Sequence, residues 1–362
     1  MTVSTLTLND GNEVPWIAFG TGTALYCKDV QHPVTLALQS GFMHLDTAQE
    51  YRNEETMGSA ITTSGKPWSE LFVTTKLGEL QGEATPKGAL EVSLSKLGLT
   101  HVNLYLVHHP HVHIGRLKEV WKGMEEAKNA GLTKSIGVSN FTVDHLREIL
   151  EVATIPPAVN QIEVQPYILK ALQPNFALHK QHNIITAAFG GLSPLFHGKG
   201  GPLDPVIENI RVWLERTWGT PVSDSQVLIK FLQQRDILVV TTSSKMEHMQ
   251  EYLDTENVPD LTPEEIQEIE GAGAQLHRRF FKRCHAPNMF GTVDIGIISP
   301  AFRKLKSFFK NIFIGLKHLE LRKRKIADVI PHTGYYEFKK DSDANDMTVQ
   351  QYYRETYNIH IK

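Results

Sequence analysis

Eight short runs rich in β-branched and aromatic residues, separated by amphipathic segments through the first 242 positions, restrict this chain to few architectures. The runs cover 17–19, 42–46, 71–76, 103–108, 135–139, 159–163, 184–189 and 237–242. Parallel strands need long crossovers, usually helical, and the intervening segments carry helical spacing. Leu90, Leu94 and Leu97 recur at that spacing behind Thr85-Pro86, predicting a helix over Pro86–Leu97. A second helix is predicted over 116–130, ended by Gly131, and a third over 143–152. Residues 6–17, with Asn9-Asp10-Gly11 at their middle, read as a β-hairpin placed to plug a barrel floor. The pattern predicts an α/β fold whose body is a closed (β/α)8 TIM barrel.

Such a barrel carries its reactive groups at the C-terminal ends of its strands. Seven of the runs end on polar or aromatic residues: Asp46, Lys76, His108, Ser139, Glu163, Phe189 and Thr242. Asp46, Tyr51, Lys76 and His108 form a set suited to reducing a carbonyl. A phenol titrates near pH ~10 and is a poor acid at neutrality unless a neighbour favours the phenolate. Lys76 suits that task, Asp46 would hold the ammonium, and His108 would hydrogen-bond the substrate oxygen. Taken singly, Asp46 or Lys76 fits a structural salt bridge and Tyr51 a surface aromatic.

The cluster His108, His109, His111 and His113 invites a metal reading, which is set aside because no Cys or carboxylate accompanies it at ligand spacing. No metal is expected. Gly20-Thr21-Gly22 and Gly198-Lys199-Gly200-Gly201 lack the dinucleotide-fingerprint spacing, which disfavours a Rossmann domain. Residues 190–205, rich in Gly and Pro, read as a long irregular loop that could close over a cofactor.

Cys27 and Cys284 are the only cysteines, too few for a disulfide framework, which fits a reducing cytoplasm. The polar start lacks a secretory pattern and no run is long and apolar enough to span a bilayer, so a cytoplasmic location is expected.

Several motifs together resemble the aldo-keto reductases across about residues 5–281. They are Gly41-Phe42-Met43-His44-Leu45-Asp46-Thr47-Ala48, Tyr51-Arg52-Asn53-Glu54, Gly58-Ser59-Ala60-Ile61, Thr75-Lys76, Leu104-Tyr105-Leu106-Val107-His108, Gly137-Val138-Ser139-Asn140-Phe141 and Asn160-Gln161-Ile162-Glu163. The resemblance implies a barrel that binds extended NADPH and reduces small aldehydes or ketones. Tyr51 would be the acid, Lys76 and Asp46 its tuners and His108 the orienter. Ser139, Asn140 and Gln161 would hold the nicotinamide carboxamide, although Ser139-Asn140 also suits a helix N-cap.

Three positions depart from the family pattern. Phe189 replaces the usual stacking Tyr, and His109 replaces the aromatic after the catalytic His. After the last strand, Val240-Thr241-Thr242-Ser243-Ser244-Lys245, then His248, stand where the family commonly has Ile-Pro-Lys-Ser and an Arg. Thr242, Ser243, Lys245 and His248 would line the phosphate side with one permanent cation fewer, so NADH stays open beside NADPH. Glu251 would contact the adenine.

Residues 282–362 carry fifteen Lys+Arg against eight Asp+Glu, whereas residues 1–281 carry twenty-two against thirty-two. After a linker over 282–299, residues 303–325 hold nine basic residues and one acid, with Phe302, Leu305, Phe309, Ile312, Phe313 and Leu316 at helical spacing. A basic amphipathic helix docking on a membrane or partner is one reading. The other is a resemblance of about 300–362 to the first part of the Argonaute PAZ domain, carried by Phe308-Phe309-Lys310, Arg322-Lys323-Arg324-Lys325-Ile326 and Thr348-Val349-Gln350-Gln351-Tyr352-Tyr353. It implies a basic, incomplete α+β segment of poor order, with weak, salt-sensitive RNA binding at most. A mis-joined gene model or a true fusion would account for it. The competing function is a non-catalytic nucleotide-binding scaffold whose tail meets RNA or a membrane. Oligomeric state is not encoded in any motif.

Overall fold

The computed structural model describes residues 4–281 and four short strands beyond them, at 313–315, 323–325, 337–339 and 346–348. The chain divides into two compact units, Met1–His285 and Ala286–Lys362. In the first unit a hairpin of β1 (Thr5–Thr7) and β2 (Glu13–Pro15) precedes β3 (Ile17–Gly20). From there helices and strands alternate: α1 (Gln31–Ser40), β4 (His44–Asp46), α2 (Glu54–Thr63), β5 (Phe72–Leu77), α3 (Pro86–Leu97), β6 (Val102–Val107) and α4 (Leu117–Asn129). They continue through β7 (Thr133–Ser139), α5 (Val143–Leu150), β8 (Val159–Glu163), α6 (Leu169–Gln181) and β9 (Ile185–Phe189). Last come α7 (Ser193–His197), α8 (Leu203–Trp218), α9 (Asp224–Gln233), β10 (Leu238–Thr241), α10 (Met246–Asp254) and α11 (Pro263–Ala274).

Strands β3 to β10 close into a parallel barrel in which β10 returns to β3. Every residue of β5, β6 and β8 is buried, as expected of parallel strands covered on both faces. Helices are set by local chemistry. At α3 the Thr85 side chain accepts from Gly88 N, Pro86 occupies the first turn and Gly98 ends the helix in the left-handed region at φ 69°. The expected hairpin plug is present: Leu8 and Val14 cluster with Ala18, Phe72, Leu104, Leu106, Val159, Ala187 and Leu238. The larger core lies between barrel and helices, with Trp16, Phe19, Phe42, Trp121 and Phe231 all buried.

Two expectations need correction. The segment after β9 is not an irregular loop, because α7 lies within it and α8 begins at Leu203. Pro194 sits in the first turn of α7, where a missing N–H costs nothing, so a residue read as a breaker is a helix starter. Helical spacing beyond Phe302 also fails where it can be followed: Phe313–Gly315 pairs antiparallel with Lys323–Lys325. A second pair joins Glu337–Lys339 to Asp346–Thr348. The linker over 282–299 and the rest of the stretch read as PAZ-like lie outside the described residues.

Candidate active site

Three side chains and a turn converge at the C-terminal mouth of the barrel. Asp46 ends β4, Lys76 lies near the end of β5, and His108 follows β6. Tyr51 closes a short 3-10 turn, Gln49–Tyr51, after β4. Buried Asn53 anchors that turn by donating to Thr21 O at 2.9 Å and Leu25 O at 3.2 Å, while accepting from Thr47 Oγ1 at 3.1 Å. Gly22 lies under the phenol, and a Cβ there would stand 2.8 Å from Tyr51 Cζ. The close approach fixes where the hydroxyl can sit.

Lys76 is 0% exposed and donates to Asp46 Oδ1, to Thr47 O at 2.9 Å and toward Tyr51 Oη at 3.5 Å. Its ammonium also lies 5.0 Å from the Tyr51 ring centroid. Burial lowers the Lys76 pKa while Asp46 opposes that shift. The second oxygen of Asp46 accepts from Gln161 Nε2 at 2.8 Å, which ties a predicted cofactor residue to the charged pair. Tyr51 and His108 meet edge to face at 5.3 Å. Burial, followed by the charges of His109 and Lys76, pushes His108 well below the ordinary histidine range, so it is neutral at pH 7.

These groups open into a cavity of about 950 Å³. Asp46, Tyr51, His108, Ser139, Asn140, Gln161, Phe189, Thr242, Ser243, Lys245 and His248 all line it. Lys76 sits behind that lining and reaches it at Asp46 and Tyr51. Glu251 is outside the lining, and its carboxylate accepts from Ser223 Oγ at 2.5 Å. Ser139 Oγ donates to Gln161 O at 2.8 Å, and Asn140 Nδ2 to His108 O at 3.0 Å. Neither serves as the predicted N-cap: α5 is capped by Thr142 in a capping box with His145, and Asn140 is left-handed at φ 63°. The turn conformation instead leaves Asn140 facing the cavity.

The lining suits a nicotinamide dinucleotide. Asn140 Oδ1 and Thr242 Oγ1 are buried without hydrogen-bond partners in the protein, so they are open to a donor that a cofactor would bring. Phe189 offers an aromatic wall, and Lys245 and His248 supply the basic side.

Several contributors were not foreseen. Lys28 adds a cation to the lining, and Tyr26 and Phe196 add exposed aromatic surface, 49% and 61% respectively. Phe281 enters from the segment after α11 and meets Phe189 edge to face at 5.2 Å. Glu163 holds that segment in place by accepting from Phe280 N at 2.9 Å and Phe281 N at 3.3 Å. The aromatic composition of this segment was the available signal.

Glu50 supplies a carboxylate that the sequence spacing does not reveal, with one oxygen 3.4 Å from both His108 Nδ1 and His109 Nε2. The three ligand atoms lie within 4.8 Å of one another. However, the two rings stack at 4.0 Å with planes 19° apart, so their in-plane lone pairs run nearly parallel instead of converging. The cluster reads as a carboxylate facing two imidazoles, with His109 as its hydrogen-bonding partner.

A family model described as Aldo/keto reductase family matches residues 17–274. The NAD/NADP-dependent indole-3-acetaldehyde reductase of Schizosaccharomyces pombe is 36% identical over 283 residues, spanning 75% of this chain and 96% of its own. The NADPH-dependent alpha-keto amide reductase of Saccharomyces cerevisiae is 34% identical, spanning 74% and 90%. A crystal structure of a Bombyx mori aldo-keto reductase in complex with NADP superposes with a TM-score of 0.67 at 29% identity, covering 80% of this chain and 99% of that one. The chain therefore belongs to the aldo/keto reductase family.

Proposed function

We propose that the protein reduces small aldehydes or ketones to alcohols with NAD(P)H. The observation that carries this reading is the buried Lys76, which joins Asp46 and the Thr47 carbonyl on one side and reaches Tyr51 on the other. When bound, the nicotinamide supplies the hydride. Tyr51 delivers the proton to the carbonyl oxygen, and the adjacent ammonium stabilises the phenolate that this leaves. His108 orients the carbonyl. Ser139, Asn140 and Gln161 hold the carboxamide, with the unpartnered Asn140 Oδ1 as acceptor, and Phe189 supports the ring face.

Thr242, Ser243, Lys245 and His248 serve the phosphate side, with Glu251 toward the adenine. Lys245 is the one permanent cation of that group, which supports NADPH while leaving NADH usable. The mixed NAD/NADP label of the fission-yeast relative and the NADPH label of the budding-yeast relative agree with that range. Tyr26, Phe196 and Phe281 favour carbonyls with an apolar or aromatic body. Among the described residues no helix is long and apolar enough to cross a membrane, and we place the enzyme in the cytoplasm.

The test is NADPH oxidation by the purified chain across aromatic aldehydes, keto amides and aliphatic ketones, with cofactor binding followed separately. Turnover supports the reductase. Tight NADPH binding with no turnover for any carbonyl leaves only the scaffold reading. For residues 300–362, the basic run and Thr348–Tyr353 motif support a weak contact with single-stranded RNA. An unretarded short RNA at low salt dismisses that role.

A further inference from the structure

Glu50 immediately precedes Tyr51, and one of its oxygens faces both members of the stacked pair, 3.4 Å from His108 Nδ1 and 3.4 Å from His109 Nε2. Hydrogen placement on these rings follows from their neighbours. Asn140 Nδ2 donates toward His109 Nδ1 at 3.1 Å, so His109 turns an N–H at Nε2 toward Glu50. His108 Nδ1 is buried and has no hydrogen bond of good geometry. A bare lone pair at that nitrogen would face a carboxylate, whereas an N–H there is attracted to it.

We propose that Glu50 is a positioning residue that keeps the ring proton of neutral His108 on Nδ1, and so restrains carbonyl reduction at neutral pH. With the proton on Nδ1, Nε2 carries a lone pair and cannot donate to a carbonyl oxygen. Donation requires either the other tautomer or a second proton. The inference rests on the reading of His108 as the group that orients the carbonyl.

The surroundings agree. The groups around His108 are Tyr51 and Glu50 from the turn, Lys76 and Asp46 from the barrel, and His109 and His111 beyond β6. Burial by itself raises the Glu50 pKa. The hydrogen bond from His109 and the charges of His109, His111 and His113 outweigh burial, and the net shift is downward. Glu50 is therefore ionised at neutrality while His108 is neutral, which is the state in which the tautomer matters. As pH falls, either a second proton on His108 or protonation of Glu50 lifts the restraint, so kcat/KM for reduction rises.

The experiment labels the histidines of the full chain with 15N and reads the His108 tautomer from long-range proton–nitrogen spectra, with His108→Asn assigning the signal. Wild type is expected to show Nδ1–H at pH 7, and both Glu50→Gln and Glu50→Ala to shift the population toward Nε2–H. The same variants are expected to raise kcat/KM for reduction at pH 7 about fivefold, the size of one net hydrogen bond, and to flatten its rise at lower pH. Nε2–H in wild type, or a tautomer indifferent to both substitutions, overturns the proposal. Absence of turnover with every carbonyl would instead overturn the function assigned above, since the spectra decide the role of Glu50 without it.

Discussion

Replacing Lys76 with methionine removes the ammonium that reaches Tyr51 and leaves the buried volume nearly filled. At 3.5 Å the full Coulomb interaction between ammonium and phenolate is about 5 kcal/mol at an effective dielectric of about 20. Asp46, bonded to the same ammonium, cancels roughly half of that field. The remaining ~2.4 kcal/mol corresponds to about sixtyfold in kcat/KM. The substitution has a second effect, because Asp46 is 1% exposed and loses its counter-charge while keeping the neutral donor Gln161. An unpaired buried charge costs about 3–5 kcal/mol of stability. Lys76→Met is therefore expected to lose both stability and rate, whereas Asp46→Asn/Lys76→Met regains stability but not rate. Urea unfolding and steady-state NADPH oxidation separate the two effects. A folded Lys76→Met enzyme with wild-type kcat/KM, or a double variant that recovers the rate, refutes the reasoning.

Other expected outcomes follow from the same geometry. Gly22→Ala places a Cβ 2.8 Å from Tyr51 Cζ, so it should lower kcat/KM about tenfold or more with an unchanged circular dichroism spectrum. Lys245→Ala should raise KM for NADPH about tenfold and leave NADH within about twofold, which checks the phosphate-side assignment by initial rates. Buried His44 and His179 titrate at about 4 in the fold against 6.5 when unperturbed, through burial first in both cases. Because the folded values lie below the unfolded one, their stabilising contribution is full above 6.5 and is lost as pH falls toward 4. Urea midpoints should drop between pH 7.5 and 5, by the equivalent of about 2 kcal/mol per histidine. Substituting either with glutamine should shrink that drop.

The barrel was legible because its determinants are local. Each strand is a compact apolar run, and α3 carries Thr85, Pro86 and Gly98 at the positions where helices begin and end. The candidate set was legible for a related reason, since Asp46, Lys76 and His108 each stand at or beside a strand end. What escaped depends on distant chain segments meeting. The approach of Glu50 to His108 and His109 joins the turn after β4 to the segment after β6, and no spacing within either reveals it. The seating of Phe281 beside Phe189 depends on Glu163 accepting two backbone N–H groups from the segment after α11. Pro194 shows a different limit, because the same residue type ends one helix and starts another according to its position.

The central claim is that Tyr51 delivers the proton that accompanies hydride transfer. Its most direct test is deuterium transfer from 4-deuterated NADPH to the carbonyl carbon, followed by mass spectrometry of the alcohol for wild type and Tyr51→Phe. The account predicts deuterated alcohol from wild type and a loss of at least about a hundredfold in the variant, with NADPH affinity retained. Undiminished transfer in Tyr51→Phe would contradict it.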